Sequence, residues 1–199
     1  MKHNFTQAGT NPAGFVIWLT GLSGAGKTTI ANRVSDLLQM QGYDVRCLDG
    51  DIVRKTFSAG LGFSQVDRME NIRRISDAAS SLSQNGSIVI VSVISPQAEM
   101  REWAKKRIGD ERFIEVFVKA QIKTCIQRDP KGLYKKALAG EIENFTGISA
   151  VYEEPLCADI VLNTETQTLP ECAEELLEFL NRANFLTHAI YPDKNKKVL

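Results

Sequence analysis

The feature that most constrains this chain is the stretch GLSGAGKT from Gly21 to Thr28, which fits the pattern G-x-x-x-x-G-K-S/T. An apolar, β-rich run from Phe15 to Leu19 precedes it. The segment that follows places its apolar residues on one helical face, at Ile30, Val34, Leu37 and Leu38. In such a strand–loop–helix, glycines let backbone N–H groups curl around phosphate oxygens, and the helix N-terminus adds partial positive charge. The sequence therefore predicts a binding site for a nucleoside triphosphate.

Two side chains of this loop are predicted to act on the phosphates. Lys27 would reach the β- and γ-phosphates, and the hydroxyl of Thr28 would ligate Mg²⁺. The alternative is a glycine-rich turn that carries Lys-Thr by coincidence. We favour the nucleotide site because the strand, the spacing and the helix all agree with it.

The composition limits what class of protein this is. With 199 residues, 43% of them hydrophobic and 24% charged, the chain suits one globular domain with a self-sufficient core. Its formal net charge of zero argues against a general nucleic-acid binder, so we expect small-molecule partners. The sequence has neither an apolar run long enough to span a membrane nor an apolar signal-peptide core, so we expect a cytoplasmic location. The four cysteines form no C-x-x-C pair, which argues against a zinc site or a disulfide framework.

Strands and helices are predicted to alternate along the chain. The predicted strands cover 15–19, 45–48, 88–93, 113–118 and 160–162, and helical periodicity appears within 30–38, 69–82 and 169–180. This alternation predicts an α/β fold of three layers, in which helices cover both faces of a parallel sheet and ligands bind at the carboxyl ends of its strands. We treat 1–199 as one domain, with a polar N-terminal extension at 1–13 and a C-terminal tail at 183–199 that looks loosely ordered from Thr187 onward.

Two aspartates, Asp49 and Asp51, follow the second predicted strand. A carboxylate at this place could orient an attacking hydroxyl or hold Mg²⁺ through water, and Asp51 is our candidate base. Either aspartate could instead cap the next short helix, because Asp favours the N-cap position. The sequence leaves both interpretations open, and each can hold for a different aspartate.

The following helix is predicted to begin near Ser64 or Asp67, one of which would cap it. Arg68 and Asn71 lie three residues apart and so share a face, whereas the apolar residues among them turn toward the core. A cation beside an amide suits an anionic substrate, since the guanidinium fork binds phosphate or sulfate oxygens. The alternative is a solvated helix face, which is the usual setting of charged residues.

The third predicted strand ends in Ile94-Ser95-Pro96. Ser95 could contact a substrate, or it could cap a helix that has Pro96 at its first position, which is the simpler interpretation. A phosphorylated-serine intermediate would need a neighbouring base, and the sequence places none beside it.

The basic, glycine-containing stretch 128–148, between the fourth and fifth strands, is predicted to form a mobile lid. Its closure would exclude water, the competing acceptor, from the transferring phosphoryl group and would add positive charge. Phe145 in this stretch and Phe63 in an earlier loop could stack on a purine, although burial in the core is the commoner use of phenylalanine.

Together these stretches resemble the adenylyl-sulfate kinase (APS kinase) family over nearly the whole chain, from about 11 to about 181. The first stretch, GLSGAGKTT, is shared by many ATPases, whereas the others are specific in combination. The stretches that carry the resemblance are GLSGAGKTT at 21–29, LDGDIVR at 48–54, GFSQVDRMENIRR at 62–74, ISP at 94–96, RDPKGLYKKA at 128–137 and ENFTGI at 143–148.

The resemblance implies transfer of the γ-phosphoryl group of ATP, with Mg²⁺, to the ribose 3′-hydroxyl of adenosine 5′-phosphosulfate (APS). The products would be 3′-phosphoadenosine 5′-phosphosulfate (PAPS) and ADP, and the protein would be a homodimer. Lys27 would act on the transferring group, Thr28 on the metal, and Asp51 would orient or deprotonate the acceptor hydroxyl. Phe63 and Phe145 would lie on the two faces of the adenine.

Ser95 matches a serine to which this family's phosphorylated intermediate is sometimes assigned. Direct transfer needs only positioning and charge stabilisation, so we keep Ser95 as a catalytic candidate but expect a substrate contact. The implied ATP contacts are Gly21, Leu22, Ser23, Gly24, Ala25, Gly26, Lys27, Thr28, Thr29 and Arg128. The implied substrate contacts are Asp51, Arg54, Phe63, Arg68, Asn71, Ile94, Ser95, Lys131, Asn144 and Phe145.

Some positions depart from the pattern of the family. Ile52 stands where Asn is common, Lys55-Thr56 replaces a common His-Gly pair, Gln97 occupies a place often filled by an aromatic residue or His, and Leu138 replaces a frequent Arg. We expect these changes to affect substrate affinity and lid behaviour more than the reaction. Two other functions stay open at this point: another small-acceptor kinase of this fold, such as a nucleoside-monophosphate or gluconate-type kinase, and a nucleotide-dependent switch without transfer chemistry.

Overall fold

The computed structural model describes residues 14–186, which build a parallel sheet covered by helices on both faces. The strands are β1 (Val16–Thr20), β2 (Val45–Asp49), β3 (Ile88–Ser92), β4 (Phe113–Lys119) and β5 (Ile160–Asn163). They lie in the order β2-β3-β1-β4-β5, and all neighbouring pairs are parallel. The α/β architecture is confirmed, and every predicted strand is present with its ends within one residue of the prediction.

Helices connect the strands and form the outer layers. They are α1 (Lys27–Gln39), α2 (Gly50–Lys55), α3 (Gln65–Gln84), α4 (Ala98–Ile108), α5 (Ile122–Arg128), α6 (Leu133–Leu138) and α7 (Leu169–Arg182), with a short 3-10 helix at Asp110–Arg112. The stretch predicted to be a lid therefore contains one helix, α6, between two loops.

The core has two layers, one on each face of the sheet. In β1, Ile17 and Leu19 pack into the layer beneath α1 and α7, whereas Val16 and Trp18 pack into the layer beneath α3 and α4. All four side chains are fully buried because both faces of the central strand are covered. This is why the strand is a continuous apolar run in the sequence, without alternation of polar residues.

Hydrogen bonds at the N-caps fix where two of the helices begin. The backbone N–H of Asp67 donates to the hydroxyl of Ser64 at 3.1 Å, so Ser64 caps α3. This confirms one of the two predicted alternatives. At the start of α7, Thr168 and Glu171 form a reciprocal capping box.

The helix after β3 does not begin where the sequence predicted. Because α4 starts at Ala98 with Gln97 at its N-cap, the prediction that Ser95 caps a helix beginning at Pro96 is wrong. The φ angle of Ser95 is 38°, which is far from the extended conformation of an N-cap residue. The backbone N–H of Ala98, at the start of α4, donates instead to the carboxylate of Glu153 at 2.7 Å.

Two predicted segments, 1–13 and 187–199, lie outside the described residues. The beginning of the predicted tail is packed: Leu186 is buried, and the ring centroids of Phe185 and Phe15 are 5.0 Å apart. Between residues 14 and 186, no helix combines the length and the apolar character needed to cross a membrane. The division of the chain into one domain with two terminal extensions stays a prediction.

Candidate active site

A cavity of about 820 Å³ lies at the carboxyl ends of the strands, where the parallel sheet predicts a ligand site. Its walls come from the phosphate loop (residues 21–28), α2, the start of α3, the turn after β3 and the stretch 128–146. Of the predicted site residues, Gly21, Leu22, Ala25 and Asn144 do not line it. The predicted residues that do are Ser23, Gly24, Gly26, Lys27, Thr28, Thr29, Asp51, Arg54, Phe63, Arg68, Asn71, Ile94, Ser95, Arg128, Lys131 and Phe145.

The phosphate loop has two positions that only glycine fits. A Cβ at Gly21 would lie 2.4 Å from the carbonyl oxygen of Val118 in β4, so the loop can leave the sheet only because that atom is missing. Gly26, with φ at 105°, turns the chain directly into α1 and is its N-cap. Leu22 and Ala25 point into the core instead, which explains why they do not line the cavity.

Lys27 is buried at the base of the phosphate loop. Its ammonium donates to the carbonyl oxygens of Gly21 at 2.9 Å and Leu22 at 2.8 Å. Burial, followed by repulsion from Lys131, lowers the pKa of Lys27 to about 8. A phosphate at the loop would favour the charged form of this amine.

Thr28 and Asp49 supply adjacent oxygen atoms beside the loop. The Thr28 hydroxyl donates to Oδ2 of Asp49 at 2.7 Å, while Oδ1 of Asp49 accepts the backbone N–H of Asp51 at 2.9 Å and caps α2. A hydroxyl and a carboxylate fit Mg²⁺, which prefers oxygen ligands and usually takes few from the protein when phosphates supply the others. Residues 14–186 contain no cluster of three or more acidic, His or Cys side chains placed to hold a metal ion.

Asp51 lies in the first turn of α2 and faces the stretch 128–148 across the cavity. Its carboxylate is paired with the ammonium of Lys131. Asp49 caps α2, as one of the two interpretations predicted, and both aspartates line the cavity. The role of Asp51 as the base stays a prediction. Asp51 is about half exposed, so its carboxylate is accessible to a ligand.

A cationic and aromatic wall lies opposite the phosphate loop. The guanidinium of Arg54 stacks over the ring of Phe63 at 4.6 Å and donates to the carbonyl oxygen of Gly62 at 2.8 Å. Phe63 is 58% exposed, so its ring is open to a ligand and is not part of the core. Burial lowers the pKa of Arg54, because few waters solvate this cation.

Arg68 joins α3 to the stretch that was predicted to be a lid. Its guanidinium donates to the hydroxyl of Thr146 at 2.5 Å, to the carbonyl oxygen of Asn144, and to that of Phe63 at 2.9 Å. Asn144 thus contributes its backbone to Arg68. Burial, followed by repulsion from Arg54, lowers the pKa of Arg68, so an anion between these two cations would relieve an unfavourable charge.

Asn71 lies on the same wall as Arg68, as their shared helical face predicted. Its side chain is buried, and its Oδ1 has no hydrogen-bond partner among residues 14–186. A buried amide oxygen without a partner is costly, typically by about 1 to 3 kcal/mol. A donor group of a ligand in the cavity would remove that cost.

Ser95 is held by hydrogen bonds on both sides of its hydroxyl. Nε1 of Trp18 donates to its Oγ at 3.1 Å, and that Oγ is 2.9 Å from the hydroxyl of Thr20. Thr20 in turn donates to the carbonyl oxygen of Ile94 at 2.7 Å. Since Ser95 is only 2% exposed, these bonds favour a role in shaping the wall at Ile94 over a role as a nucleophile.

Sequence reasoning missed Thr164 as part of this site. Arg128 donates to its hydroxyl at 2.9 Å and to its carbonyl oxygen at 2.7 Å, and both residues line the cavity. Thr164 directly follows β5, so the rule that ligands bind at the carboxyl ends of parallel strands could have found it.

Phe145 lines the cavity from the side of α6 and also packs against the core layer beneath α1. Sequence reasoning missed its neighbour Tyr134, which is fully buried and whose ring contacts that of Phe145. Thr146, the partner of Arg68, was missed as well. Their partners are distant in the chain, so no local pattern in the sequence indicates them.

Comparison with known proteins finds that the sequence of this chain is similar to adenylyl-sulfate kinases. The family model described as adenylylsulphate kinase matches residues 13–163. An adenylyl-sulfate kinase of Chloroflexus aurantiacus is 52% identical over 177 residues, which cover 89% of this chain and 94% of that protein. One of Halothermothrix orenii is 49% identical over 176 residues, covering 88% of this chain and 94% of the relative.

Solved structures give the same result. The structure of the Mycobacterium tuberculosis APS kinase CysC in complex with AMPPNP and APS matches with a TM-score of 0.83 and 44% identity, covering 85% of this chain and 99% of that one. A gluconokinase from Sinorhizobium meliloti matches with a TM-score of 0.56 and 18% identity, a likeness that concerns the fold alone.

Proposed function

Because the chain belongs to the adenylylsulphate kinase family, we propose that it transfers the γ-phosphoryl group of ATP to the 3′-hydroxyl of APS, with PAPS and ADP as products. It is a kinase, a transferase that binds nucleotides. The observation that carries the proposal is that one cavity contains the phosphate loop, a cationic and aromatic wall opposite it, and Asp51 between them.

The phosphate half of the cavity would hold ATP. The loop N–H groups and the start of α1 bind the phosphate oxygens, and Lys27 leaves its two carbonyl partners to stabilise the charge that develops on the γ-phosphoryl group. Mg²⁺, held by Thr28 and close to Asp49, would neutralise the β- and γ-phosphates when bound. Arg128, fixed by Thr164, borders the nucleotide side.

The opposite half would hold APS. Arg54, Arg68, Asn71 and Lys131 are suited to the phosphosulfate and ribose, because they are cations and an amide that converge on one space. The exposed ring of Phe63 and that of Phe145 offer two aromatic faces for the adenine. Ile94 and Ser95 form the wall of this half at the turn after β3. The backbone carbonyl oxygen of Asn144 accepts a hydrogen bond from Arg68 and so positions that side chain.

Asp51 is proposed to receive the 3′-hydroxyl proton or to orient that hydroxyl for in-line attack. The oxygen of the acceptor forms the new bond to phosphorus, the bond from phosphorus to the β,γ-bridging oxygen breaks, and ADP leaves with the bonding electrons. The ion pair with Lys131 holds the carboxylate of Asp51 at the cavity until the acceptor arrives. The geometry supports direct transfer, because the hydroxyl of Ser95 is already hydrogen-bonded within the wall.

The other parts of the proposal concern the molecule as a whole. We propose a homodimer in the cytoplasm and a stretch 128–148 that closes over the bound substrates. The absence of charge excess in the sequence agrees with a small-molecule partner rather than nucleic acid.

The substrate assignment is tested by replacing Arg68 with alanine. We expect kcat/KM for APS to fall about thirtyfold or more, because a charge-assisted contact worth about 2 kcal/mol is lost. The matched control is Arg73→Ala, since Arg73 lies on the same helix but is exposed and stacks on Trp103 outside the cavity. The acceptors to compare are APS, AMP and gluconate. Unchanged turnover of APS in the Arg68 variant, with loss on another acceptor, would refute the assignment.

A further inference from the structure

Tyr134 contacts residues of both halves of the cavity although it does not line the cavity itself. Its side chain is 1% exposed, and its hydroxyl donates to the carbonyl oxygen of Ser23 in the phosphate loop at 3.0 Å. Its ring meets that of Phe145 edge to face, with centroids 5.0 Å apart and planes at 79°. Burial raises the pKa of Tyr134, so the phenol stays protonated and remains a donor at neutral pH.

A second contact joins the same wall to the phosphate loop. A Cβ at Gly147 would lie 2.7 Å from Cδ1 of Ile122 and 3.2 Å from Cδ2 of Leu22, so the backbone beside Phe145 packs directly on a side chain of the loop. The φ angle of Gly147 is 91°, which favours glycine at this close approach. A shift of the loop therefore reaches the residues around Phe145 by two routes.

The backbone at Tyr134 is held by Asp129. The carboxylate of Asp129 accepts the backbone N–H groups of Tyr134 and Lys135, each at 3.0 Å, and so holds the start of α6. With the start of α6 held in this way, the side chain of Tyr134 connects the carbonyl oxygen of Ser23 to the ring of Phe145.

We propose that Tyr134 is a positioning residue that couples binding of the nucleotide to binding of the acceptor. A nucleotide that fills the phosphate loop fixes the carbonyl of Ser23, which fixes the Tyr134 hydroxyl and thereby the Phe145 face of the acceptor half. The Phe145 face is then already ordered when the acceptor binds, so the acceptor binds more tightly. Because coupling between two binding sites is reciprocal, each ligand strengthens binding of the other by the same factor. This inference rests on the proposed function, since it takes Phe145 as a wall of the acceptor site.

The direct test is Tyr134→Phe, which removes the hydroxyl and keeps the ring. The dissociation constant of APS is measured with and without AMPPNP and Mg²⁺, and the ratio of the two values is the coupling factor. We expect wild-type protein to bind APS more tightly when the analogue is present. In the variant we expect the factor to be about fivefold smaller, the fold-change that corresponds to one hydrogen bond. The KM for APS should rise, while kcat at saturation changes little.

The matched control is Tyr152→Phe, which removes a phenol hydroxyl 3.0 Å from the hydroxyl of Thr20 and does not touch the Ser23 carbonyl. We expect this variant to keep the wild-type coupling factor. A wild-type factor of one overturns the inference, as does an equal factor in wild type and Tyr134→Phe, or an equal loss in both tyrosine variants.

A second readout needs no acceptor. In wild type, AMPPNP and Mg²⁺ alone should slow backbone amide exchange in 143–148, and in Tyr134→Phe this slowing should be smaller. Ile122→Ala, which loosens the contact with Gly147, should reduce it as well. Absence of slowing in wild type overturns the inference even where the same preparation converts APS to PAPS, so this failure is distinguishable from failure of the proposed function.

Discussion

At the scale of single residues, the charges of the cavity have different partners although they lie close together in the sequence. The two carboxylate oxygens of Asp49 accept hydrogen bonds from Thr28 and from the start of α2, whereas the carboxylate of Asp51 is ion-paired with Lys131. Only Asp51 can therefore exchange its partner for an acceptor hydroxyl without loss of a helix cap. This difference supports the choice of Asp51, already made from the sequence, as the proposed base.

Replacing Asp51 with asparagine tests that role. We expect kcat to fall at least about a hundredfold, the usual scale for loss of a general base, while both substrates still bind. Steady-state rates and calorimetric binding constants measure the two effects. Asp36→Asn, at an exposed position on α1, is the control and should keep its rate. A kcat near the wild-type value in Asp51→Asn would exclude this carboxylate from the mechanism.

Lys27 predicts a pH dependence of nucleotide binding. With its pKa lowered to about 8, close to half of the free protein carries a neutral amine at pH 8. Phosphate oxygens favour the ammonium form and raise this pKa, so binding takes up protons: about half a proton per nucleotide at pH 8, falling toward zero at pH 7. Calorimetry in two buffers of different ionisation enthalpy measures the uptake. Lys27→Arg should show none, because a guanidinium stays charged; proton release by wild type would contradict the account.

Residue contacts could be predicted from the sequence only where they are local. The shared face of Arg68 and Asn71 follows from their spacing of three, and both line the cavity. Tyr134 and Ser23 are 111 residues apart, and Arg68 and Thr146 are 78 apart. No periodicity relates such positions, since the fold alone brings them together.

At the scale of elements, strand positions follow from burial and helix starts follow from capping. β1 and β3 are fully buried on both faces, so their apolar runs give their limits closely. The predicted start of α4 was wrong because Ser-Pro is a frequent helix start in sequences. The side chain that accepts the backbone N–H of Ala98 belongs to Glu153, which lies 55 residues away in the chain. The cap of α3 was predictable because Ser64 and Asp67 are three residues apart.

Replacing Ser64 with alanine should therefore destabilise the protein through α3. We expect the free energy of unfolding to fall by about 1 kcal/mol, the usual effect of losing an N-cap side chain. Denaturant unfolding measures it. Ser81→Ala, at an exposed position inside the same helix, should not destabilise, because alanine favours helix more than serine does. Equal losses in the two variants would contradict the capping role.

At the scale of the whole molecule, the sheet order places the phosphate loop and the cationic and aromatic wall at one edge. β1 is central, and the loops that follow β1, β2, β3 and β5 all reach the same cavity. The sequence predicted this edge from the alternation of strands and helices. The identity of the acceptor substrate could not be predicted from the fold alone, because the same fold serves kinases of other small molecules. That prediction depends on the residues of the wall opposite the phosphate loop.

The most direct test is to follow ATP, Mg²⁺ and APS by phosphorus NMR in the presence of the purified protein. We expect one ADP and one 3′-phosphorylated product to appear for each ATP consumed. Hydrolysis of ATP with APS unchanged, or binding of both ligands without any product, would contradict the claim that the two surfaces form one active site.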